Sequence, residues 1–369
     1  MQLCEVMSND ETIDQIPASK IRPLNSTDEI VVPNSKITLL SVPEPSDVPD
    51  AAEDVNANHM PQVMDKIKKL WDLDYSDFTE DEKLFYYWHK RLRHAPKKHI
   101  HRLTKRGALP KQLQFVKTMP ICAACAFADA AKRRSYRNDH KSIRKQDDYP
   151  GSGTSCDHII SHEPGLIPQV TGRLTHAQYT GAIIFSDHYS DYTYLHMITS
   201  TSTKETMIAK RAYERVAKEH GVSLVKHYRA NNLRFNDTEF QEDCVKNGQT
   251  FNYCGVGAHH QNVLAEAKNK TLSYGARKLL LRACRKWPSV IKRSLWPYAL
   301  SADCKRHNEL SLNEDGKSPL ELFSGIDEEI TCNDFHTWGC PVFVLDKANQ
   351  SSLTSTPKWE PRARAGVYL

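Results

Sequence analysis

Four residues have the types and spacing of a metal site. His89 and His94 have four residues between them, Cys122 and Cys125 form a Cys-x-x-Cys pair, and 27 residues separate the two pairs. Two imidazoles and two thiolates make the tetrahedral, soft donor set that Zn²⁺ prefers. Four protein ligands leave no open position for a substrate, so the expected zinc is structural. A Cys-x-x-Cys can instead be a redox pair, but no thioredoxin-like βαβ unit surrounds this one. Chance proximity is the other alternative, because the chain holds 17 histidines. Positions five apart do not share a helical face. The site therefore closes only if His94 lies past a helix end, before Pro96, and faces back toward His89.

The elements that must hold these ligands can be read nearby. Thr79-Glu80-Asp81-Glu82 is a capping box, and the helix it opens runs to about Arg93, because Pro96 pushes Ala95 out of helical geometry. A second helix, KKHIHRLTKR, ends at Gly107. From Thr154 the pattern changes to expected strands at Thr154–Ser161, Ala182–Ser186, Tyr192–Thr199, Ser223–Arg229 and Thr250–Cys254. Helices are expected at 203–220, at 238–247 and from about Gln261 to Lys286, before Pro288. This order gives an α/β class, a mixed sheet flanked by helices. It is also the order of the ribonuclease-H-like fold, though order alone does not select that fold. Short strands at Cys340–Leu345 and Gly366–Leu369 suggest a small β module, and the chain stops within the last of them, as a piece of a longer product would. The expected organisation is an acidic, disordered linker over 1–78, a helical His/Cys module over 79–130, a basic linker over 131–153, the sheet domain over 154–287 and a C-terminal extension over 288–369.

Composition narrows the function. The chain has 369 residues, enough for about two domains. Mean hydropathy is −0.60 and no run of about 18 apolar residues occurs, which excludes a membrane-spanning helix. The N-terminus lacks the basic and apolar regions of a secretory signal. Ten scattered cysteines fit a reducing, intracellular compartment. The net charge of +5 hides an asymmetry: residues 1–80 carry 16 acidic and 6 basic side chains, whereas residues 83–146 carry 18 Lys/Arg and only Asp129 and Asp139 as acids. Such a block, with Lys132, Arg133, Arg134 and Arg137 close together, points to a polyanion, most plausibly nucleic acid, or else to a solvated basic surface.

Several of these runs resemble one family. Trp88-His89, Leu92-Arg93-His94 and Cys122-Ala-Ala-Cys125 resemble the pre-integrase zinc module of copia-type long-terminal-repeat retrotransposons. Phe185-Ser-Asp-His-Tyr-Ser-Asp-Tyr192 is similar to the second-strand motif of their integrase catalytic domain. His260-Gln261-Asn262-Val263-Leu264-Ala265-Glu266 is similar to its Gln-Asn-Gly-x-Ala-Glu-Arg motif. Ser318-Pro-Leu-Glu-Leu-Phe-Ser-Gly325 and Trp338-Gly-Cys-Pro-Val-Phe343 resemble segments that follow that domain. The likeness covers about residues 80–369, with the motifs in the family's order. It implies a ribonuclease-H-like core on which three carboxylates hold two Mg²⁺ or Mn²⁺ ions, joining element DNA to target DNA by phosphodiester transfer. It further implies DNA as partner, a homo-oligomer, no membrane, and residence in the nucleus or a cytoplasmic retrotransposon particle.

By this resemblance Asp157 falls on the first carboxylate position and Glu266 on the third. The family's second Asp lies in an Arg-x-Asp-Asn-Gly motif, and this chain reads Arg229-Ala230-Asn231-Asn232-Leu233. Asn231 thus stands at the second carboxylate position and Leu233 at the turn glycine, while Val263 and Ala267 replace the Gly and Arg around Glu266. Asp237, six residues on, is the nearest acidic substitute. Outside that frame Asp157 reads as a strand-end carboxylate and Glu266 as an exposed helical one. Asp187 and Asp191 flank a turn and read as structural. Asn269, Lys270, Ser273 and Arg277 share a helical face with Glu266, so Asn269, Lys270 and Arg277 are candidate DNA contacts, or an ordinary polar face. The expectation is a DNA-binding integrase-like protein with impaired catalysis. The alternative is a non-catalytic, zinc-stabilised nucleic-acid-binding or protein-interaction scaffold derived from an integrase.

Overall fold

Residues 74–130, 147–168, 176–231, 235–254, 262–345 and 361–369, with a few positions between 65 and 72, are described by a computed structural model. Residues 1–64 and 131–146 lie outside it, and with them most of what was expected of 1–78 and 131–153; of the first of these segments, Tyr75 and Phe78 are described and pack against Tyr86.

Three helices open the described chain: α1 (Glu80–Arg91), α2 (Lys97–Lys105) and α3 (Ala123–Asp129). The sheet region follows as β1 (Thr154–Gly165), β2 (Tyr179–Asp187), β3 (Thr193–Ile198), α4 (Thr203–Glu219), β4 (His227–Ala230), α5 (Thr238–Lys246), β5 (Thr250–Tyr253) and α6 (Val263–Lys286). After it come α7 (Trp296–Leu310), α8 (Pro319–Ser324), β6 (Pro341–Leu345) and β7 (Ala363–Val367).

The five strands pair in the order β3-β2-β1-β4-β5. The first three form an antiparallel meander, and β4 and β5 extend it in parallel, each reached through a helical crossover. That mixed sheet, covered by helices on both faces, is ribonuclease-H-like. The alternation along β2 shows why both faces must be covered: Ile183 and Phe185 point to one side, Ala182 and Ile184 to the other, and all are fully buried. On the first side Phe185 stacks on Tyr213 of α4 at 4.9 Å, and Phe240 of α5 completes the layer. On the second side Ile159 and Ile184 pack against Leu272, Ala276 and Leu279 of α6 and Leu300 of α7.

Strand and helix limits differ from the sequence expectations mainly at β1, which continues to Gly165, and β4, which starts only at His227. Helix α7, with Pro297 in its first turn, occupies a stretch given no element from sequence. The N-terminal helices do not close their core alone. Phe85, Leu92, Ile100, Leu103 and Leu113 pack with Leu310, Leu312, Cys332 and Phe335. Polar contacts reinforce that junction. Arg93 grips Asp303 of α7 through two hydrogen bonds of 2.9 Å, and Arg106 reaches Glu321 of α8 at 2.7 Å. Among the described residues no helix is long and apolar enough to cross a membrane.

Candidate functional site

The His/Cys ligands are assembled by a helix end. Thr79 and Glu82 form the reciprocal capping box that starts α1. At the other end Arg93 and His94 adopt left-handed conformations, with φ of 56° and 54°, which swing the His94 ring back over the last turn. Cys122 caps α3 and Cys125 sits in its first turn, so the Cys-x-x-Cys is a helix start rather than a free turn. His89 Nε2 and His94 Nδ1 are 3.3 Å apart; Cys122 Sγ lies 3.3 Å from His94 Nδ1, and Cys125 Sγ lies 3.4 Å from His89 Nε2 and 3.7 Å from His94 Nδ1. Tetrahedral zinc with bonds of about 2.0–2.3 Å separates its donors by roughly 3.3–3.8 Å. The donor set fits.

The surroundings prepare those donors. His89 Nδ1 donates to the Ala95 carbonyl at 2.8 Å, which fixes the tautomer and frees Nε2 as a ligand. Burial pushes His94 down to about 4, so its ring is neutral at pH 7. A hydrogen bond from Cys125, with help from the two imidazoles, holds the Cys122 thiol well below its usual range. The Tyr86 hydroxyl is hydrogen-bonded to the same sulfur. Zinc bound here would be held by His89, His94, Cys122 and Cys125, and would tie the turn after α1 to α3. Among the described residues this is the single group of three or more His, Cys, Asp or Glu side chains able to hold a metal.

The second site lies on the sheet. Asp157 is on β1, facing α6, and is 9% exposed. Because β1 and β4 run parallel with Cys156 beside Ala230, the next residue of each strand brings Asp157 beside Asn231. Asn231 Nδ2 donates to Asp157 Oδ1 at 3.0 Å, and Asn269 Nδ2, from α6, donates to Oδ2 at 3.2 Å. Both oxygens of the carboxylate thus accept from amides. An amide beside a carboxylate must present its N–H, which leaves Asn231 Oδ1 buried and without a partner. Asn262 hangs from the neighbouring carbonyl of Cys156 at 2.9 Å. Glu266 is half-buried on α6, one turn before Asn269.

Other acids have local duties. Asp187 accepts from Gly151 N, Ser190 N and Ser190 Oγ at 2.7–2.8 Å. Asp191 pairs with Lys268 at 2.7 Å, and Asp237 caps α5 and accepts from Thr203. Lys270 and Arg277 lie over the Tyr274 ring at 5.3 and 5.2 Å, and Arg277 also donates to Ala128 O. Asn269 is engaged with Asp157 and His158 O. Lys132, Arg133, Arg134, Arg137 and Leu233 lie outside the described residues. Two clusters escaped the sequence reading. Lys268 Nζ lies 2.8 Å from His307 Nε2 as well as on Asp191, joining α6, α7 and the β2–β3 turn. Ser155 Oγ lies 2.8 Å from His188 Nε2, whose Nδ1 is 2.9 Å from Asp147. Ser155 is wholly buried, so this Ser-His-Asp chain fastens the segment before β1 and meets no substrate.

The five-stranded order with parallel β1 and β4 defines a ribonuclease-H-like α/β protein with a His/Cys module packed against it. No protein-family model and no curated protein matches the chain. Solved structures are similar to it. The magnesium-bound catalytic core domain of the HTLV-2 integrase, trimeric form, aligns at 16% identity over 47% of this chain and 97% of that one, with a TM-score of 0.34. Its dimeric form aligns at 15% over the same shares, also at 0.34. The simian T-cell lymphotropic virus intasome in complex with PP2A regulatory subunit B56 gamma aligns at 13% over 68% of this chain and 74% of that chain, with a TM-score of 0.39. These likenesses transfer no residue role, and the fold assignment rests on strand order and register.

Proposed function

We propose that this chain is an integrase-derived DNA-binding protein of copia-type retrotransposon ancestry, stabilised by one structural zinc, that does not itself join DNA strands. One observation supports the reading above the rest: Asn231 donates an N–H to Asp157 where the family's chemistry requires a second carboxylate. Two-metal phosphodiester transfer needs dications about 4 Å apart, with anionic oxygens offsetting their repulsion. Asp157 and Glu266 offer two carboxylates, and the amides of Asn231 and Asn269 already occupy the oxygens of the first. The residues present do not fit a pair of Mg²⁺ or Mn²⁺ ions. What the chain retains in this reading is affinity for DNA, through the basic block of 83–146. It would act as a homo-oligomer, in the nucleus or in a cytoplasmic retrotransposon particle.

The test is a strand-transfer assay on a blunt duplex with Mg²⁺ or Mn²⁺, run beside a DNA-binding measurement. The protein binds and does not join. Asn231→Asp with Leu233→Gly places two carboxylates side by side, which lowers the melting temperature without metal and makes it rise on adding Mg²⁺. If the unaltered protein joins strands and Asp157→Ala abolishes this, the reading is wrong.

A further inference from the structure

The stretch from Lys97 to Lys117 holds seven Lys or Arg side chains and no Asp or Glu. Part of that charge is met by the C-terminal segments. Lys98 lies 3.7 Å from Glu314, Arg106 reaches Glu321 at 2.7 Å, and Arg102 donates to the Leu312 carbonyl at 2.6 Å. The ion pairs of this run stop at Lys98, Arg102 and Arg106; Lys111 and Lys117 are exposed and have no acidic partner among the described residues. Between these two lysines the chain makes a 3₁₀ turn, Lys111–Phe115. Leu113 and Val116 anchor it in the core with Ile100 and Leu103. That anchoring turns Phe115 outward: it is 77% exposed, the most of any large apolar side chain among the described residues. At about 2.0 Å of rise per residue, Lys111 and Phe115 stand roughly 8 Å apart along the turn, and Lys117 follows two residues on. Lys97 Nζ donates to the Lys117 carbonyl, which brings a third cation to the same ledge.

A single exposed apolar side chain needs no explanation by itself, but this one stands in a run whose charge is all of one sign. We propose that Phe115, with Lys97, Lys111 and Lys117, is a binding site for unpaired nucleotides, the base stacking on the ring and the cations taking the flanking phosphates. An aromatic ring among cations is what a single strand requires, because every base has a face to stack and every link carries a charge. In a duplex the bases already stack on one another, so the ring receives a base only where a strand is frayed or overhangs. Stacking of this kind tolerates any sequence. This inference rests on the DNA-binding reading above and narrows it to single strands.

The test measures fluorescence anisotropy of the full chain on a labelled single-stranded oligonucleotide and on the blunt duplex of the same sequence, across a salt series. Phe115→Ala should weaken single-strand binding at least about fivefold and leave duplex binding and the salt slope unchanged. Phe115→Trp should keep the affinity, and Phe115→Leu, apolar but not aromatic, should not. Lys111→Gln with Lys117→Gln should lower the single-strand slope of log K against log salt by about 1.4, at about 0.7 for each phosphate. Phe115 and both lysines are exposed, so zinc content and melting temperature should not move. Phe115→Leu as tight as the unaltered chain overturns the site, since the ring then adds nothing beyond apolar area. So does an equal loss on single strand and duplex from Phe115→Ala, or no loss at all. A shift of Phe115→Ala from oligomer to monomer in sedimentation velocity overturns it too, by assigning the ring to a contact between copies. Duplex binding without single-strand binding overturns the site and leaves the DNA-binding reading in place. No binding to either refutes that reading as well.

Discussion

Arg93→Ala should be among the most damaging single changes outside the metal ligands. Asp303 has no exposed surface, and Arg93 gives it two hydrogen bonds of 2.9 Å while donating to Ser311 Oγ at 3.2 Å. Burial raises the pKa of Asp303, and Arg93 pulls it back. Removing one member of a buried ion pair costs about 3–5 kcal/mol, because the other charge stays desolvated. The substitution adds no backbone strain, since Ala and Arg tolerate the left-handed φ at this position about equally. The remaining acid then takes up a proton more readily in the folded chain than in the unfolded one. A raised folded pKa contributes stability at low pH that is lost as pH rises, so the deficit should shrink from pH 8 to pH 6. Replacing the pair with Arg93→Met and Asp303→Leu should recover most of the loss. Gly275 supplies a second check. A Cβ there would come within 2.2–2.3 Å of the Asp303 carboxyl atoms, so Gly275→Ala should cost about 1–3 kcal/mol alone and much less beside Asp303→Ala. Urea unfolding of the zinc-saturated protein measures all of these. A loss below about 1 kcal/mol for Arg93→Ala, or a double variant no better than the single, would refute the reasoning.

Two further outcomes can be checked. Metal analysis of the reduced protein should give one zinc per chain, and Cys125→Ser or chelation should melt residues 79–130, as site energies on the order of 10 kcal/mol imply; a metal-free, folded preparation would sink this. Burial opposes charge on Glu321, but the Arg106 hydrogen bond and the Ser318 and Glu328 N–H groups outweigh it and hold the carboxyl at about 2. Its contribution, about 3 kcal/mol, is therefore complete above the ordinary glutamate range and lost as pH falls from about 4.5 toward 2. Acid unfolding of Arg106→Ala should show that component reduced but not abolished, since the Ser318 and Glu328 N–H groups remain.

The His/Cys centre was legible because two short spacings and the soft-ligand rule constrain it jointly. Even the position of His94 beyond the helix end followed from the five-residue step. The order of strands and helices along the chain, though not their order in the sheet, followed from period and punctuation, since Gly221, Gly248 and Pro288 mark the ends of α4, α5 and α6. Strand lengths were less legible. β1 runs on to Gly165 through a polar tail, where Leu166 N reaches Ser294 O at 2.8 Å, a contact made by tertiary packing. Helix α7 lies in a stretch given no element from sequence; its buried residues include the charged Asp303 and Arg306 beside Ala299, Leu300 and Cys304, so charge does not mark off its packed face. The pairing of Arg93 with Asp303 spans 210 positions and depends on chain reversal that no local pattern encodes.

The two sites differ in what their loss costs the fold. Losing a zinc ligand removes binding energy that is also folding energy, so the His/Cys module cannot drift far and stay folded. The carboxylate site has the opposite sign. Acids gathered for divalent ions repel one another whenever the ions are absent, and an Asn in place of one acid removes that repulsion. Here it also adds a hydrogen bond from Asn231 to Asp157, while Asn269 satisfies the other oxygen. Stability and metal-dependent chemistry therefore pull position 231 in opposite directions. On the proposed reading, a chain released from joining strands would gain by that exchange, yet would still need His89, His94, Cys122 and Cys125. Under the proposed reading, an intact His/Cys set beside an amide at the second carboxylate position is the pattern that this difference in sign would produce.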